Sequence, residues 1–395
     1  MLKVGIVGLG FISHEHVSGY LGSKDAEIVA VCDVSREHAE SWLKQWKLGQ
    51  ARVYESLETM LGAESLDLVE ILTPHTKHCE HVLQCADAGI RGISVQKPMA
   101  VGLQQCDAMI AACEEKGSLL RVFENYLFYP VYREAKKLIE DGAIGAPVSV
   151  RVHTMAGIRE GASWPHFWAS GSETFDVGQC ENSPMVGDDG LHKFSLACWL
   201  LDGEIEKIGA WIDRESPLDA PAYIRAKFRG AQGESSRYAQ LDFNFSTKLH
   251  IPSDLWLDDF VEIFGEHGVM WVHQCAGGGD RALFRGNEMS RSAVFPPIAV
   301  FVDGKVKTYL EDLSPEERNW STSFVAGTRH FVDVVKNGGD PVCSGREGKN
   351  LNRYAMAALL SAQEGRDIEM DEVTSEAEAA GTFKLRTNFC NINRE

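Results

Sequence analysis

Residues 3–20 constrain the fold more than any other stretch. Lys3-Val4-Gly5-Ile6-Val7 reads as a short buried strand, Gly8-Leu9-Gly10-Phe11-Ile12-Ser13 as a glycine turn, and Phe11 to Leu21 as the helix that this turn opens. A strand that ends in G-x-G and passes at once into a helix brings free N–H groups, here at Phe11 and Ile12, and the positive end of the helix dipole to one point. The first glycine makes the tight turn and the second lets a pyrophosphate approach the backbone. The third position of that fingerprint holds Ser13 where Gly or Ala is usual. Asp33 ends the second strand twenty-three residues after Gly10, the spacing expected of an acid that accepts from ribose hydroxyls. A carboxylate there repels an extra phosphate and favours NAD, while Ser35 and Arg36 just beyond it leave NADP open.

The pattern then repeats. Glu27 to Cys32 is a strand, Ser35 caps a helix running to Trp46, and Asp67 to Leu72 is a strand closed by Thr73-Pro74. His75 to Ala88 is a helix stopped by Gly89, Gly92 to Val95 a strand leading into Gln96-Lys97-Pro98, Leu103 to Glu115 a helix, and Leu119 to Phe123 a last strand. Such alternation argues for an α/β chain whose first domain, residues 1–123, is a Rossmann-type doubly wound parallel sheet. From about residue 146 the period changes to two, in Val148-Val150-Val152 and Ala239-Leu241-Phe243-Phe245, and Asp303-Gly304 is a two-residue hairpin signal. A second α/β domain, residues 124–395, should therefore carry a large, mostly antiparallel sheet, with residues 155–186 and 273–295 as long connections beside it. Asn350 to Gln363 reads as an amphipathic helix.

A chain of 395 residues at about 150 per domain has room for two or three domains. Thirty-nine basic against 57 acidic side chains leave −18, so nucleic acid and anionic membranes are not expected partners. Ten cysteines without a C-x-x-C pair are expected to be reduced thiols in a cytoplasmic protein. The first apolar segment lacks a small-residue cleavage site, and no removed leader or membrane span is expected. His75, His78 and His81 do not share one helix face, so no metal site is expected there.

Gly8-Leu9-Gly10, Asp33, Thr73-Pro74 with His78, Gln96-Lys97-Pro98, Asn125-Tyr126, Gly142-Ala143-Ile144-Gly145, Glu262-Ile263-Phe264-Gly265 and Asp340-Pro341-Val342 together resemble the glucose–fructose oxidoreductase, inositol dehydrogenase and rhizopine-catabolism family (Gfo/Idh/MocA). The resemblance implies a dinucleotide cofactor bound by Gly8, Gly10, Phe11, Ile12, Asp33, Ser35, Arg36, Thr73, Pro74, His78, Gln96 and Lys97. It also implies an open sheet that serves in a homodimer or homotetramer. The family's Glu-Lys-Pro motif falls on Gln96-Lys97-Pro98, so the lysine carries over and the acid does not. Its Asp-x-x-x-His pattern falls on Asp188 and His192, and the acid that follows in the family is Ser195 here.

Oxidation of a secondary alcohol needs a base within reach of the hydroxyl, and Lys97 or His192 can serve. Asp188 and His192, four apart on a helix, share a face. Tyr126, Trp164 and Trp168 are flat apolar surfaces for a sugar ring, and Lys193 is a further polar substrate contact. The expected activity is hydride transfer between NAD and a polyol, sugar or glycoside. Two rivals are an enzyme that retains NAD and oxidises its sugar only transiently, and a non-catalytic dinucleotide or sugar sensor.

Overall fold

The computed structural model describes residues 1–160, 184–213, 216, 219–229, 236–250, 255–273, 295–314, 317, 319–382 and 385, in two compact units. Trp164 and Trp168 lie outside the described residues.

The first unit comprises Met1–Asn125 and Phe324–Asn352. Its chain runs β1 (Leu2–Val7), α1 (Ser13–Tyr20), β2 (Ala26–Cys32), α2 (Arg36–Trp46), β3 (Arg52–Tyr54), α3 (Leu57–Ala63), β4 (Leu68–Ile71), α4 (His78–Asp87), β5 (Gly92–Gln96), α5 (Leu103–Lys116) and β6 (Leu119–Phe123). All strands are parallel, in the order β3-β2-β1-β4-β5-β6. The chain starts in the middle of the sheet and reverses its direction of growth between β1 and β4, where ligands enter such folds at the carboxyl ends of the strands. β4 and β5 are buried along their whole length, as strands covered on both faces must be. β3 and α3 are additions to the elements expected from the sequence.

Phe324–Asn352 belongs to this unit, although a division at 123/124 puts it in the second domain. The apolar stripe of α8 (Ser321–Asn337), with Phe331, Val332, Val334 and Val335, completes the core formed by Leu2, Val4, Ile28 and Trp42.

The second unit comprises Tyr126–Ser323 and Arg353–Glu395. Its elements are α6 (Pro130–Glu140), β7 (Pro147–Arg159), α7 (Gly190–Leu201), β8 (Ile205–Ile212), β9 (Ala222–Phe228), β10 (Tyr238–Leu249), β11 (Leu255–Gly265), β12 (Gly268–His273), β13 (Ile298–Val302), β14 (Lys305–Tyr309), β15 (Ile368–Glu369) and α10 (Ser375–Ala380), with α9 (Gly345–Glu364) entering at Arg353. The sheet order is β14-β13-β12-β11-β7-β10-β9-β8-β15. It is mixed, because β10 runs parallel to β7 while its other described pairings are antiparallel. Val150, Val152, Leu241, Phe243, Val261 and Ile263 form the buried face, whereas Trp211, Tyr238 and Phe264 are exposed. Asp303 and Gly304 both take positive φ, as a tight hairpin requires.

β7 extends to Arg159, so residues 155–159 are strand where a connection is expected. Gly157 is a place of close approach: a Cβ there would sit 2.3 Å from Leu249 Cδ1 and 2.7 Å from the Ser246 carbonyl oxygen.

Candidate active site

At the carboxyl end of β1, Gly8 has φ +85°, and a Cβ on it would lie 2.8 Å from the Thr73 amide nitrogen. Any side chain would push β1 and β4 apart at the point where their connections diverge. Gly10 faces open space and carries nothing that would keep a phosphate from the backbone. The Asp33 carboxylate accepts from Leu9 N–H and Ser35 N–H, both at 3.0 Å, and so clamps the glycine turn to the start of α2. Its remaining lone pairs suit ribose hydroxyls. Ser13 is buried; its hydroxyl donates to the Gly10 carbonyl at 2.6 Å and accepts from the Trp42 indole at 2.9 Å. That pair of bonds explains why this turn tolerates a residue other than Gly or Ala. Phe11 and Ile12 sit half-buried at the head of the turn. Bare backbone at Gly10, a helix start and an acid beyond β2 together fit a dinucleotide.

Arg36 and Ser35 are engaged elsewhere. The guanidinium lies 3.4 Å from Glu55 and 3.7 Å from Glu40, and the Ser35 hydroxyl caps α2 by accepting from His38 N–H at 3.2 Å. Both ion pairs of Arg36 are exposed.

Thr73 is half-buried and Pro74 exposed after β4, and the Thr73 hydroxyl lies 3.1 Å from His81 Nδ1. His78 is buried, with one ring nitrogen 2.8 Å from the Thr73 carbonyl oxygen and the other 2.9 Å from that of Pro98. Burial drives this imidazole down to about 4, against the pull of those carbonyls. His78 thus braces the loops after β4 and β5 from behind, where the sequence suggests a direct cofactor contact. Lys97 is half-buried, and its N–H donates to Gln96 Oε1 at 2.8 Å.

Gln96, expected to contact the cofactor, is turned inward, with its amide nitrogen 2.9 Å from His16 Nε2. Behind it, His16 Nδ1 lies 3.1 Å from Glu70 Oε1 and Ser94 donates to Glu70 at 2.6 Å. Tyr20 also donates to Glu70, and Arg121 donates to Ser94 at 2.9 Å and stands 3.6 Å from Glu70. Burial pushes the Glu70 carboxyl up, but the adjoining His16 ring, the Arg121 guanidinium and the Ser94 hydroxyl outweigh it and hold it below the ordinary carboxylate range. His16, Glu70 and Arg121 are absent from the sequence-derived candidates. The signal was present: Leu68-Val69-Glu70-Ile71 and Leu119-Leu120-Arg121-Val122-Phe123 each carry one charge inside an apolar strand, and buried charges require partners.

In the second unit a π-helical turn, Pro184–Asp189, precedes α7. Asp188 is in that turn and His192 in the regular helix, so the two straddle a change of helical period. The i, i+4 ion pair formed here is the next one along, Asp189–Lys193 at 3.1 Å. Lys193 is fully buried and also donates to Asp259 at 3.0 Å and to the Tyr126 hydroxyl at 2.8 Å. It is therefore an internal cation and not the substrate contact expected. Tyr126, expected as a sugar wall, is buried as well: its ring stacks on His192, centroids 4.3 Å apart and planes within 5°, and its hydroxyl donates to Asp259 at 2.9 Å. Thr154 donates to the other oxygen of Asp259 at 2.7 Å. Asp259 was missed, although a charged pair inside Leu257-Asp258-Asp259-Phe260-Val261 is the same kind of signal as Glu70.

Comparison with known proteins finds the same two-domain organisation. The GFO_IDH_MocA model, an oxidoreductase family with an NAD-binding Rossmann fold, matches residues 2–124. The GFO/IDH/MocA C-terminal domain matches residues 132–271, and the two span about two thirds of the chain. A D-apiose dehydrogenase of Paraburkholderia graminis is 28% identical over 379 residues, 95% of this chain and 92% of the relative. A myo-inositol 2-dehydrogenase of Thermotoga maritima is 23% identical over 384 residues, 94% of this chain and 99% of the relative. Among solved structures, an oxidoreductase from Agrobacterium radiobacter in complex with NAD+, L-tartaric acid and magnesium superposes with a TM-score of 0.71 at 22% identity, covering 94% of this chain and 98% of its own. At that identity the likeness carries the fold alone.

Proposed function

The chain belongs to the Gfo/Idh/MocA family of oxidoreductases, and on that premise we propose that it is an NAD-dependent dehydrogenase moving a hydride between nicotinamide and a secondary alcohol of a polyol, sugar or glycoside. The substrate class is supported by relatives named for apiose and myo-inositol. The observation that carries the reading is the carboxyl edge of one parallel sheet, which presents open backbone at Gly10, an acid at Asp33 and a lysine at Lys97.

Bound NAD supplies the hydride acceptor. The hydroxyl proton must leave as the C–H bond breaks, and Lys97 Nζ or the His192 imidazole takes it, with Asp188 orienting the hydroxyl. The Tyr126 ring holds the plane of His192 before substrate arrives, so that orientation is not sought during the reaction. Asp33, together with the engagement of Arg36 by Glu55 and Glu40, supports NAD over NADP. We further propose a cytoplasmic homodimer or homotetramer joined through the open face of the nine-stranded sheet, where Trp211, Tyr238 and Phe264 are exposed. No described helix is long and apolar enough to cross a membrane.

The test mixes purified protein with NAD and a panel of inositols, sugars and glycosides and follows absorbance of reduced nicotinamide, with Lys97→Ala in parallel. A rise that falls by about 10²- to 10⁴-fold in the variant is expected. Undiminished turnover in Lys97→Ala overturns the role given to the lysine. No rise with any compound, and no nucleotide released on denaturation, overturns the dehydrogenase.

A further inference from the structure

We propose that Gln96 is a positioning residue that locks His16 in its neutral, Nδ1-protonated tautomer and ties that locked ring to the backbone of Lys97. The argument begins with the amide. Gln96 Oε1 accepts the Lys97 N–H at 2.8 Å, and turning the amide over would set its NH2 against that N–H in a site where Gln96 is only 8% exposed. The backbone donor therefore fixes which end of the amide faces His16, and that end is the nitrogen, 2.9 Å from Nε2. An amide nitrogen only donates, so Nε2 must offer a lone pair and the ring proton resides on Nδ1. Nδ1 in turn lies 3.1 Å from Glu70 Oε1, out of hydrogen-bond alignment but beside the carboxylate, whose negative charge favours a proton on that nitrogen.

The surroundings of the ring leave no competing partner among the described groups facing it. Phe123 of β6 and Phe324 of α8 pack against it at centroid distances of 4.1 and 5.2 Å. The charges behind it are Glu70 of β4 and Arg121 of β6, with Tyr20 of α1 and Ser94 of β5 bonded to the same carboxylate. With His16 neutral, one anion and one cation remain, and the buried set balances.

A glutamate at position 96, as in the family motif, can still accept from Lys97 N–H, but its second oxygen would face the Nε2 lone pair. A proton must then lie between that oxygen and Nε2; placed on the more basic imidazole it makes the ring doubly protonated, and the new carboxylate and the imidazolium cancel. Amide with neutral imidazole and acid with imidazolium are thus equivalent in charge; this chain has the first arrangement, and so places no extra ion pair behind Lys97. The effect on Lys97 as a catalytic group rests on the function proposed above; the tautomer does not.

The experiment uses the full-length protein labelled with ¹⁵N-histidine, its long-range ¹H–¹⁵N spectrum at neutral pH read for His16 and assigned by the signal lost in His16→Gln. A neutral Nδ1–H ring is expected in the unaltered protein and a doubly protonated ring in Gln96→Glu. A neutral Nε2–H ring or an imidazolium in the unaltered protein overturns the proposal, as does a neutral ring in Gln96→Glu. Gln96→Met keeps the size and removes both hydrogen bonds. With a verified substrate it should lower kcat about tenfold and displace the pH profile while leaving the KM for NAD unchanged, about one buried hydrogen bond of positioning. An unaltered kcat and pH profile overturns the link to Lys97. Because the spectra require no turnover, failure to find a substrate leaves the tautomer decided.

Discussion

In the first unit an imidazole, a carboxylate, a guanidinium, a phenol and a hydroxyl meet beneath the parallel sheet; in the second an ammonium, two carboxylates, a phenol and a hydroxyl meet beside the mixed one. The parts are similar but the ends differ. Glu70 and Arg121 reach the proposed catalytic lysine through His16, the Gln96 amide and a main-chain N–H, that of Lys97. Lys193 and Asp259 grip a side-chain hydroxyl, that of Tyr126, whose ring lies against His192. Damage to the first set should therefore appear mainly as lost stability, and a gentle change in the second mainly as lost orientation.

The sharpest way to break this contrast is Arg121→Met. Glu70 is fully buried, and without the guanidinium it keeps hydroxyl and imidazole partners but no permanent cation. Removing one partner of a buried pair costs about 3–5 kcal/mol. Methionine retains some of the packing that Arg121 makes over Phe123 and Phe331, at 4.7 and 4.3 Å from their ring centroids. Urea denaturation should show the loss, and adding Glu70→Gln should restore more than half of it. A cost below about 1 kcal/mol for the single variant would mean that the pair is not what holds the sheet together.

Position within the sequence explains what could be read in advance. β1, the glycine turn and Asp33 were legible because an apolar run, a backbone turn and a fixed spacing are all local. β3 and α3 were not, since Arg52–Tyr54 and Leu57–Ala63 are too short to display a period. The apolar stripe of α8 announces burial, yet nothing local says that Phe331 and Val335 meet Leu2 and Val4. Site residues divide in the same way. Gly8, Gly10 and Lys97 stand after strands, where the sequence places them, whereas Gln96, Tyr126 and Lys193 are the residue types of a polar site and were assigned outward roles. Burial decides the matter, and burial is set by pairing with Asp259 or His16, which are 66 residues from Lys193 and 80 from Gln96.

Acid titration offers a second test, confined to the first unit. The His78 imidazole is held near 4 when folded, below the ordinary value of about 6.5, so above that range neither state binds the proton and its contribution is complete. As pH falls from about 6.5 to 4, the unfolded chain takes up a proton that the folded one refuses, and about 3 kcal/mol is lost. Glu70, held below the ordinary carboxylate value, acts later: its contribution is present above about 4.5 and is lost as pH falls below that. Hydrogen exchange at the amides of β4 and β5 should follow the first window, with β10 and β11 as the internal reference. His78→Asn should flatten the slope between pH 6.5 and 4 and leave the lower window in place. A slope that persists in that variant assigns the acid sensitivity to another group.

Tyr126→Phe makes the smallest change and tests the other side of the contrast. It removes one oxygen, and no charge is orphaned: Lys193 keeps Asp189 at 3.1 Å and Asp259 at 3.0 Å, while Asp259 keeps Thr154 at 2.7 Å. The stability cost should be about 1 kcal/mol, that of an ordinary buried hydrogen bond. The ring still covers His192, but the hydroxyl no longer helps to fix its tilt, so kcat should fall by about three- to tenfold with the KM for NAD unchanged. Tyr126→Leu, which also removes the stack, should lower kcat further at a comparable KM. If Phe and Leu are equally active, the ring is packing and the orientation of His192 comes from the helix alone. If Phe instead costs as much stability as Arg121→Met, the hydroxyl is a structural tie, and both buried sets then serve the fold in the same way.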